Sequence, residues 1–101
     1  SQQSTLTAYL QAFGYQLDPQ DARARLRVDL FIIKDGKLFS KVAPSYHRPT
    51  NRSSIAIRSD VSLKELPPGD YTLRARVTDE IANELEERNA DFSVTLINRT
   101  H

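Results

Sequence analysis

The sequence has no cysteine, methionine or tryptophan, and it has only three glycines. Without cysteine, disulfide bonds and thiolate metal sites are excluded. No apolar stretch reaches the roughly eighteen residues that a transmembrane helix needs, so no membrane span is predicted. The length of 101 residues predicts a single domain over residues 1–101, too small to hold a large active-site cavity beside its core.

The charge balance excludes a general polyanion binder, because the net charge is only +1. Residues 1–58 nevertheless carry nine basic and four acidic side chains, a balance of +5, whereas residues 59–101 carry five and nine, a balance of −4. Two interpretations follow. Either the halves interleave and their charges pair on the surface, or the module is dipolar and packs head-to-tail with neighbours.

Alternating apolar and polar residues predict β-strands in two clear segments. The first strand has its apolar face at Leu26, Val28, Leu30 and Ile32, and it returns through a tight turn at Asp35-Gly36. The return strand contains Leu38, Phe39 and Val42. The second segment follows the turn Pro67-Pro68-Gly69-Asp70 and has Tyr71, Leu73, Ala75 and Val77 on one face, with Thr72, Arg74, Arg76 and Thr78 on the other.

Other segments are less regular. Residues 43–54 are predicted as a loop, because two prolines, an asparagine and several Ser/Thr residues interrupt any pattern. Ile55 and Ile57 predict a short strand, a break follows at Ser59-Asp60, and Val61 and Leu63 resume the apolar pattern. Residues 5–17 fit a helix and a strand about equally. Residues 79–91 fit either a mobile hairpin loop or at most one short helical turn near residues 80–88, before a last strand with Phe92, Val94 and Leu96.

Six or seven short strands separated by turns predict an antiparallel β-sandwich of about seven strands. "DGK" after an apolar strand, then "LPPGDYTLRARVTDE", then "ADFSV", resembles the immunoglobulin-like or fibronectin-type modules of bacterial exported proteins. In particular it resembles the C-terminal module of the VWFA-related proteins of acidobacteria. The matching positions are Gly69, Tyr71, Leu73, Ala75, Val77, Asp79, Phe92 and Val94.

The resemblance implies an Ig-like or fibronectin-type fold, an extracytoplasmic setting, no catalytic residues and no cofactor. It also favours a strand over a helix for the N-terminal segment. Position 75 departs from the motif, since Ala75 is smaller than the branched residue usual there.

The first candidate binding site is the predicted loop, which holds Tyr46, His47, Arg48 and Arg52. An aromatic face beside polar groups suits a sugar, whereas no nucleophile or orienting acid adjoins His47 for catalysis. The acidic residues between 79 and 87 lack the alternating oxygen ligands and central glycine of a calcium loop. No metal site is therefore expected, and an incidental histidine and a solvated acidic face are the plain alternatives.

The second candidate is a row of arginines, Arg25, Arg27, Arg74 and Arg76, on the outward faces of the two clear strands. Arginines in a row can bind carboxylate or phosphate bidentately, or they can pair across strands with residues such as Asp29. Nucleic acid is not expected, because a nucleic-acid-binding sheet presents aromatic side chains for stacking. This face presents Arg and Thr.

These features predict a non-catalytic structural or protein-interaction module of a larger bacterial exported or envelope protein. The chain begins with Ser rather than Met, which favours an excised piece of that protein. Its expected partners are neighbouring domains or another protein. The alternative function is a carbohydrate-binding module that uses residues 43–54, and self-association through an exposed sheet edge is a further hypothesis.

Overall fold

The computed structural model describes residues 5–50 and 54–95, and this part of the chain is all-β. The strands are β1 (Thr5–Phe13), β2 (Leu26–Lys34), β3 (Lys37–His47), β4 (Ser54–Ser62), β5 (Gly69–Asp79) and β6 (Glu84–Val94). β1 and β4 form a two-stranded sheet, and the others form a four-stranded sheet in the order β3-β2-β5-β6. All pairings are antiparallel. The expected all-β antiparallel architecture is confirmed, with six strands in the described residues instead of seven.

The two sheets pack face to face. Their principal core consists of Val28, Leu30 and Ile32 from β2, Ile57 and Val61 from β4, Tyr71, Leu73 and Ala75 from β5, and Leu66 from the β4–β5 connection. Period-two alternation places these side chains inward, as the sequence predicted for β2 and β5. This packing is the arrangement of a β-sandwich. The described residues contain no helix that is long and apolar enough to cross a membrane.

The β2–β3 hairpin turns at the predicted residues. Asp35 and Gly36 have φ angles of 53° and 74°, as a two-residue type I′ turn requires. The prediction of a loop over residues 43–54 is wrong at its start, because β3 continues to His47. β3 is an edge strand, and its pairing with β2 shifts register between Val28 and Leu30. An edge strand with an irregularity there tolerates Pro44, which cannot donate a backbone hydrogen bond.

The prediction of a hairpin loop or at most one short helical turn over residues 79–91 is wrong from Glu84 onward, because β6 begins there. β5 continues to Asp79 and β6 begins at Glu84, so only four residues connect them. The Asp79 carboxylate accepts hydrogen bonds from the backbone N–H groups of Ile81 and Ala82 at 3.0 and 3.1 Å, and Asn83 takes a positive φ of 58°. Pairing with the whole length of β5 outweighs the helical spacing of this short segment.

The N-terminal segment forms a strand, β1, which pairs with β4 over the whole range from Thr5 opposite Ser62 to Phe13 opposite Ser54. β4 is continuous through Ser59 and Asp60, so the predicted break there is wrong. Cross-strand partners in β1 keep this part of β4 extended. Leu96, which the sequence placed in the last strand, lies outside the described residues.

Candidate functional site

The strand register brings three of the predicted site residues to one surface. Residues directly opposite in an antiparallel pair share a face. Tyr46 and Thr78 lie opposite Arg27, whereas Arg74 lies opposite Phe31. Arg76 lies opposite Asp29. Tyr46, Arg74 and Arg76 therefore share the outer face of the four-stranded sheet, the face turned away from the core.

The outer-face arginines are paired across strands. Arg74 Nε donates to Asn89 Oδ1 at 3.0 Å. Arg74 and Arg76 each have a nitrogen 3.5 Å from the same oxygen of Glu87, and the Arg76 guanidinium lies 5.0 Å from the centroid of the Phe31 ring. Cross-strand partners thus occupy both guanidinium groups.

Arg25 and Arg27 are paired as well. Arg25 precedes β2 instead of lying within it, and its guanidinium contacts Asp18 at 2.8 Å and Asp21 at 3.4 Å. The backbone N–H of Gln20 and then Arg25 hold the pKa of Asp18 below its ordinary value. Arg27 lies 3.2 Å from the buried Asp29 carboxylate. Each arginine of the predicted row is therefore paired with a nearby acidic side chain of this chain.

The predicted loop site does not form one cluster. Tyr46 is 62% exposed on the outer face, whereas the neighbouring His47 points to the opposite face of β3 and lies 3.0 Å from Ser45 Oγ. Burial lowers the pKa of His47. Arg48 uses its carbonyl to accept a hydrogen bond from Arg23 at 3.3 Å. Arg52 lies outside the described residues.

Acidic side chains do not form a metal site in the part of the chain that the structure describes, because no group of three or more His, Cys, Asp or Glu residues there could hold an ion. The buried Asp79 accepts three backbone hydrogen bonds instead, from Ile81, Ala82 and Gln16. Its role in this structure is to anchor the β5–β6 turn and the β1–β2 connection.

A concave surface lies where the sheets differ in width. β1 lies above β5. The larger sheet continues beyond β5 to β6, which has no strand of the smaller sheet above it among the described residues. Between them runs a groove, called here the β1–β6 groove, lined by β1 residues 6–13, the inward residues of β5, and Glu86, Arg88, Ala90 and Phe92 of β6. Every β6 residue from Glu84 to Asp91 is exposed. The groove has a volume of about 410 Å³ beside Leu6 and Phe92 but only about 90 Å³ beside Phe13 and Glu86.

The edge of β1 beside this groove differs from the other sheet edges. Among the described residues, no strand pairs with that side of β1. Natural proteins protect such edges with charges, prolines or bulges. β3 carries Lys37, Lys41 and Pro44, β4 carries Arg58 and Asp60, and β6 carries Glu84, Glu86, Glu87, Arg88 and Asp91. β1 has no charged residue and no proline, and its side chains Tyr9 and Phe13 are 75% and 58% exposed.

The sequence carries a signal for this edge in its distribution of charge. No charged residue occurs before Asp18. A strand without charges indicates either burial or an edge that pairs with another strand. Only the structure distinguishes these, because it shows β1 at the edge of a two-stranded sheet.

Over residues 5–50 and 54–95, fold and surface define an all-β module of two antiparallel sheets in which the β1 edge carries no charge or proline. Comparison with protein-family models, curated proteins and solved structures finds no match to this chain.

Proposed function

We propose that this chain is a non-catalytic structural and protein-interaction module of the immunoglobulin-like or fibronectin type. Immunoglobulin domains place strands C, F and G in one sheet and strands B and E in the other. The sheet containing β2, β5 and β6 and the sheet containing β1 and β4 follow that division, with β3 as an additional edge strand. The arrangement supports an Ig-like sandwich in which no strand stands at the position of strand A within the described residues.

A second feature supports the Ig-like type. The Tyr71 hydroxyl donates a hydrogen bond to the carbonyl of Pro67, four residues earlier, at 2.5 Å. Immunoglobulin-like domains contain such a tyrosine corner at the start of strand F, the position that β5 occupies here. The Tyr71 ring also stacks on Phe92, with centroids 5.5 Å apart.

The observation that carries the interaction function is the uncharged edge of β1 beside the β1–β6 groove. Exposed strand edges bind other chains through their unpaired backbone groups, and the other edges in the described residues are charged. The likeness of residues 66–79 to modules of bacterial exported proteins supports a place in a larger, extracytoplasmic protein. The protein would use the module to position or bind another polypeptide.

Site-specific photocrosslinking in the parent protein tests the interaction function. A photoreactive phenylalanine analogue at Tyr9 is expected to form a covalent adduct with another polypeptide segment. The same analogue at Ala56, which is exposed on β4, is the matched control. Equal adduct yields at both positions, or adducts at Ala56 alone, would show that the β1 edge is not the interaction surface.

A carbohydrate-binding function is the second candidate, and the exposure of Tyr46 is the observation in its favour. Tyr46 lies beside Arg27 on the outer face, where a ring and a cation could contact one sugar. A glycan array tests it with the wild-type chain and a Tyr46→Ala variant. Binding that the variant loses would establish this function, and absence of binding by the wild type would exclude it for the glycans on the array.

A further inference from the structure

We infer that the β1–β6 groove binds one extended polypeptide segment, supplied by a partner, which pairs with β1 as an added strand. The inference rests on the proposed interaction function and names its mode and the chemistry of its partner. In β-strand addition, backbone hydrogen bonds along a free edge supply affinity and pockets for alternate side chains supply specificity. The chain provides an edge at residues 6–13 and a groove beside it.

The groove is one strand wide. Neighbouring strands lie about 4.8 Å apart, and packed sheets about 10 Å apart. A strand added to β1 would therefore lie directly above β6, whose inner face is uncovered along most of its length. The added strand would complete a three-stranded sheet over the four-stranded one, and its inward side chains would contact Ala90 and Phe92.

Residues 1–4 and 96–101, which flank the described strands in this sequence, are too few to fill the groove. Six residues follow Thr95 and four precede Thr5. Six residues span at most about 20 Å when fully extended, and about 10 Å of that is needed to cross from one sheet to the other. An eight-residue edge needs about 27 Å of strand. Residues 1–4 and 96–101 are therefore too short to be the occupant, which lies outside residues 1–101.

A second copy of the chain fits this edge poorly when the strands pair antiparallel. If β1 of the copy paired with β1 of the first chain, it would lie one strand position further out. β5 of the copy would then lie beneath that position. β6 already occupies that position in the first copy. A single segment meets no such obstacle, so the occupant is a strand and not a folded copy of the module.

The walls of the groove define the chemistry of the segment. Near Leu6 and Phe92 the groove is wide and apolar, so a bulky apolar side chain fits there. Near Phe13 it is narrow, and the β6 residues there are Glu84, Glu86 and Arg88, with one excess negative charge. The segment is thus expected to alternate apolar inward and polar outward residues, with a basic inward residue at the Phe13 end.

The binding experiment uses the 101-residue chain and a panel of fluorescent nine-residue peptides that alternate apolar and polar side chains, with lysine at either end. The tightest binder is then made in two N-methylated forms, with methyl groups on three odd or three even backbone nitrogens. In a strand ladder only alternate N–H groups face β1. One form should therefore bind more than about tenfold more weakly, while the other binds within about threefold of the parent peptide.

Matched variants locate the site. Ala90→Lys places an ammonium group on the inner face of β6, and Ala56→Lys places one on the β4 edge. Both alanines are exposed, so both variants should fold, which circular dichroism checks. Ala90→Lys should weaken peptide binding by about tenfold or more, because the ammonium would be buried beneath the added strand. Ala56→Lys should leave binding unchanged.

Three results would overturn strand addition: no binding of any panel peptide at about 1 mM, equal loss in both N-methylated forms, or equal effects of the two lysine variants. Growth of mass with concentration in light scattering, abolished by Ala90→Lys, would assign the groove to a second copy instead. A crosslink at Tyr9 without any N-methyl preference would keep the interaction function and reject strand pairing as its mode.

Discussion

The Asp79 carboxylate accepts a hydrogen bond from the backbone N–H of Gln16 at 2.9 Å, across 63 positions of sequence. Its other oxygen accepts from Ile81 and Ala82, and the residue is only 8% exposed. One side chain thus fastens the β1–β2 connection to the end of the β5–β6 hairpin. Both segments adjoin the narrow end of the β1–β6 groove.

Replacing Asp79 with alanine should lower the free energy of unfolding by about 3 kcal/mol or more. The variant leaves three backbone donors without this acceptor, and a hydrogen bond to a charged group contributes about 1.5–3 kcal/mol net of the exchange with water. Urea unfolding measures the loss. Asp70→Ala is the control, because Asp70 is exposed and accepts only from Ser93 in the described contacts. Similar losses in the two variants would contradict the anchoring role of Asp79.

The hydrogen bond from the Tyr71 hydroxyl to the Pro67 carbonyl predicts a cost for Tyr71→Phe. The ring stays packed against Phe92, and only the hydrogen bond to Pro67 is lost. One buried hydrogen bond contributes about 1 kcal/mol, so the free energy of unfolding should fall by about that amount. Tyr9→Phe is the control, since Tyr9 is 75% exposed and should unfold like the wild type. An unchanged free energy of unfolding for Tyr71→Phe would show that this hydrogen bond contributes little to stability.

The fold was predictable where burial imposes a pattern. β2 and β5 lie in the middle of the larger sheet, and their inward residues recur at every second position, as their sequences predicted. β6 could not be recognised over Glu84–Asp91, because both its faces are exposed there and its sequence lacks alternating apolar residues. β6 forms there because its backbone pairs with β5, and not because it buries one face. A strand of this kind shows no alternation of apolar and polar residues in its sequence.

The candidate site was predictable only in its parts. The arginine row and Tyr46 were visible in the sequence, but their partners, such as Glu87 for Arg74 and Arg76, come from another strand. The lack of charge before Asp18 was visible too. That β1 borders a groove depends on its pairing with β4 and on the extra width contributed by β6. These are long-range contacts, which local patterns do not encode.

The shared contact of Arg74 and Arg76 with Glu87 predicts a small, salt-dependent contribution to stability. A double-mutant cycle with Arg74→Ala and Glu87→Ala should give a coupling energy of about 0.2–1 kcal/mol. The pair is weak because the two side chains are 37% and 34% exposed. Adding salt to about 1 M should reduce the coupling, since the screening length falls to about 3 Å. A coupling above about 2 kcal/mol that resists salt would show instead that the pair is shielded from solvent.

Tyr15 affects stability in two ways, through its unpaired hydroxyl and through its raised pKa, and alkaline pH separates them. Its side chain is 7% exposed, and its hydroxyl has no hydrogen-bond partner among the described residues. Tyr15→Phe keeps the ring in the small core with Ala24 and Leu26 and removes the unpaired hydroxyl. Near pH 8 the variant should therefore be as stable as the wild type or more stable by up to about 1 kcal/mol.

Burial also raises the pKa of Tyr15 above 10.0. The unfolded chain then releases the Tyr15 proton at a lower pH than the folded chain, so the unfolded state binds fewer protons. Stability from this residue is present below about pH 10 and is lost as the pH rises through the folded pKa. Urea unfolding at about pH 8 and pH 11 should show a smaller alkaline loss in Tyr15→Phe than in the wild type, whereas Tyr9→Phe should behave like the wild type. A variant that is less stable near pH 8 would mean that the Tyr15 hydroxyl has a partner, such as an enclosed water molecule.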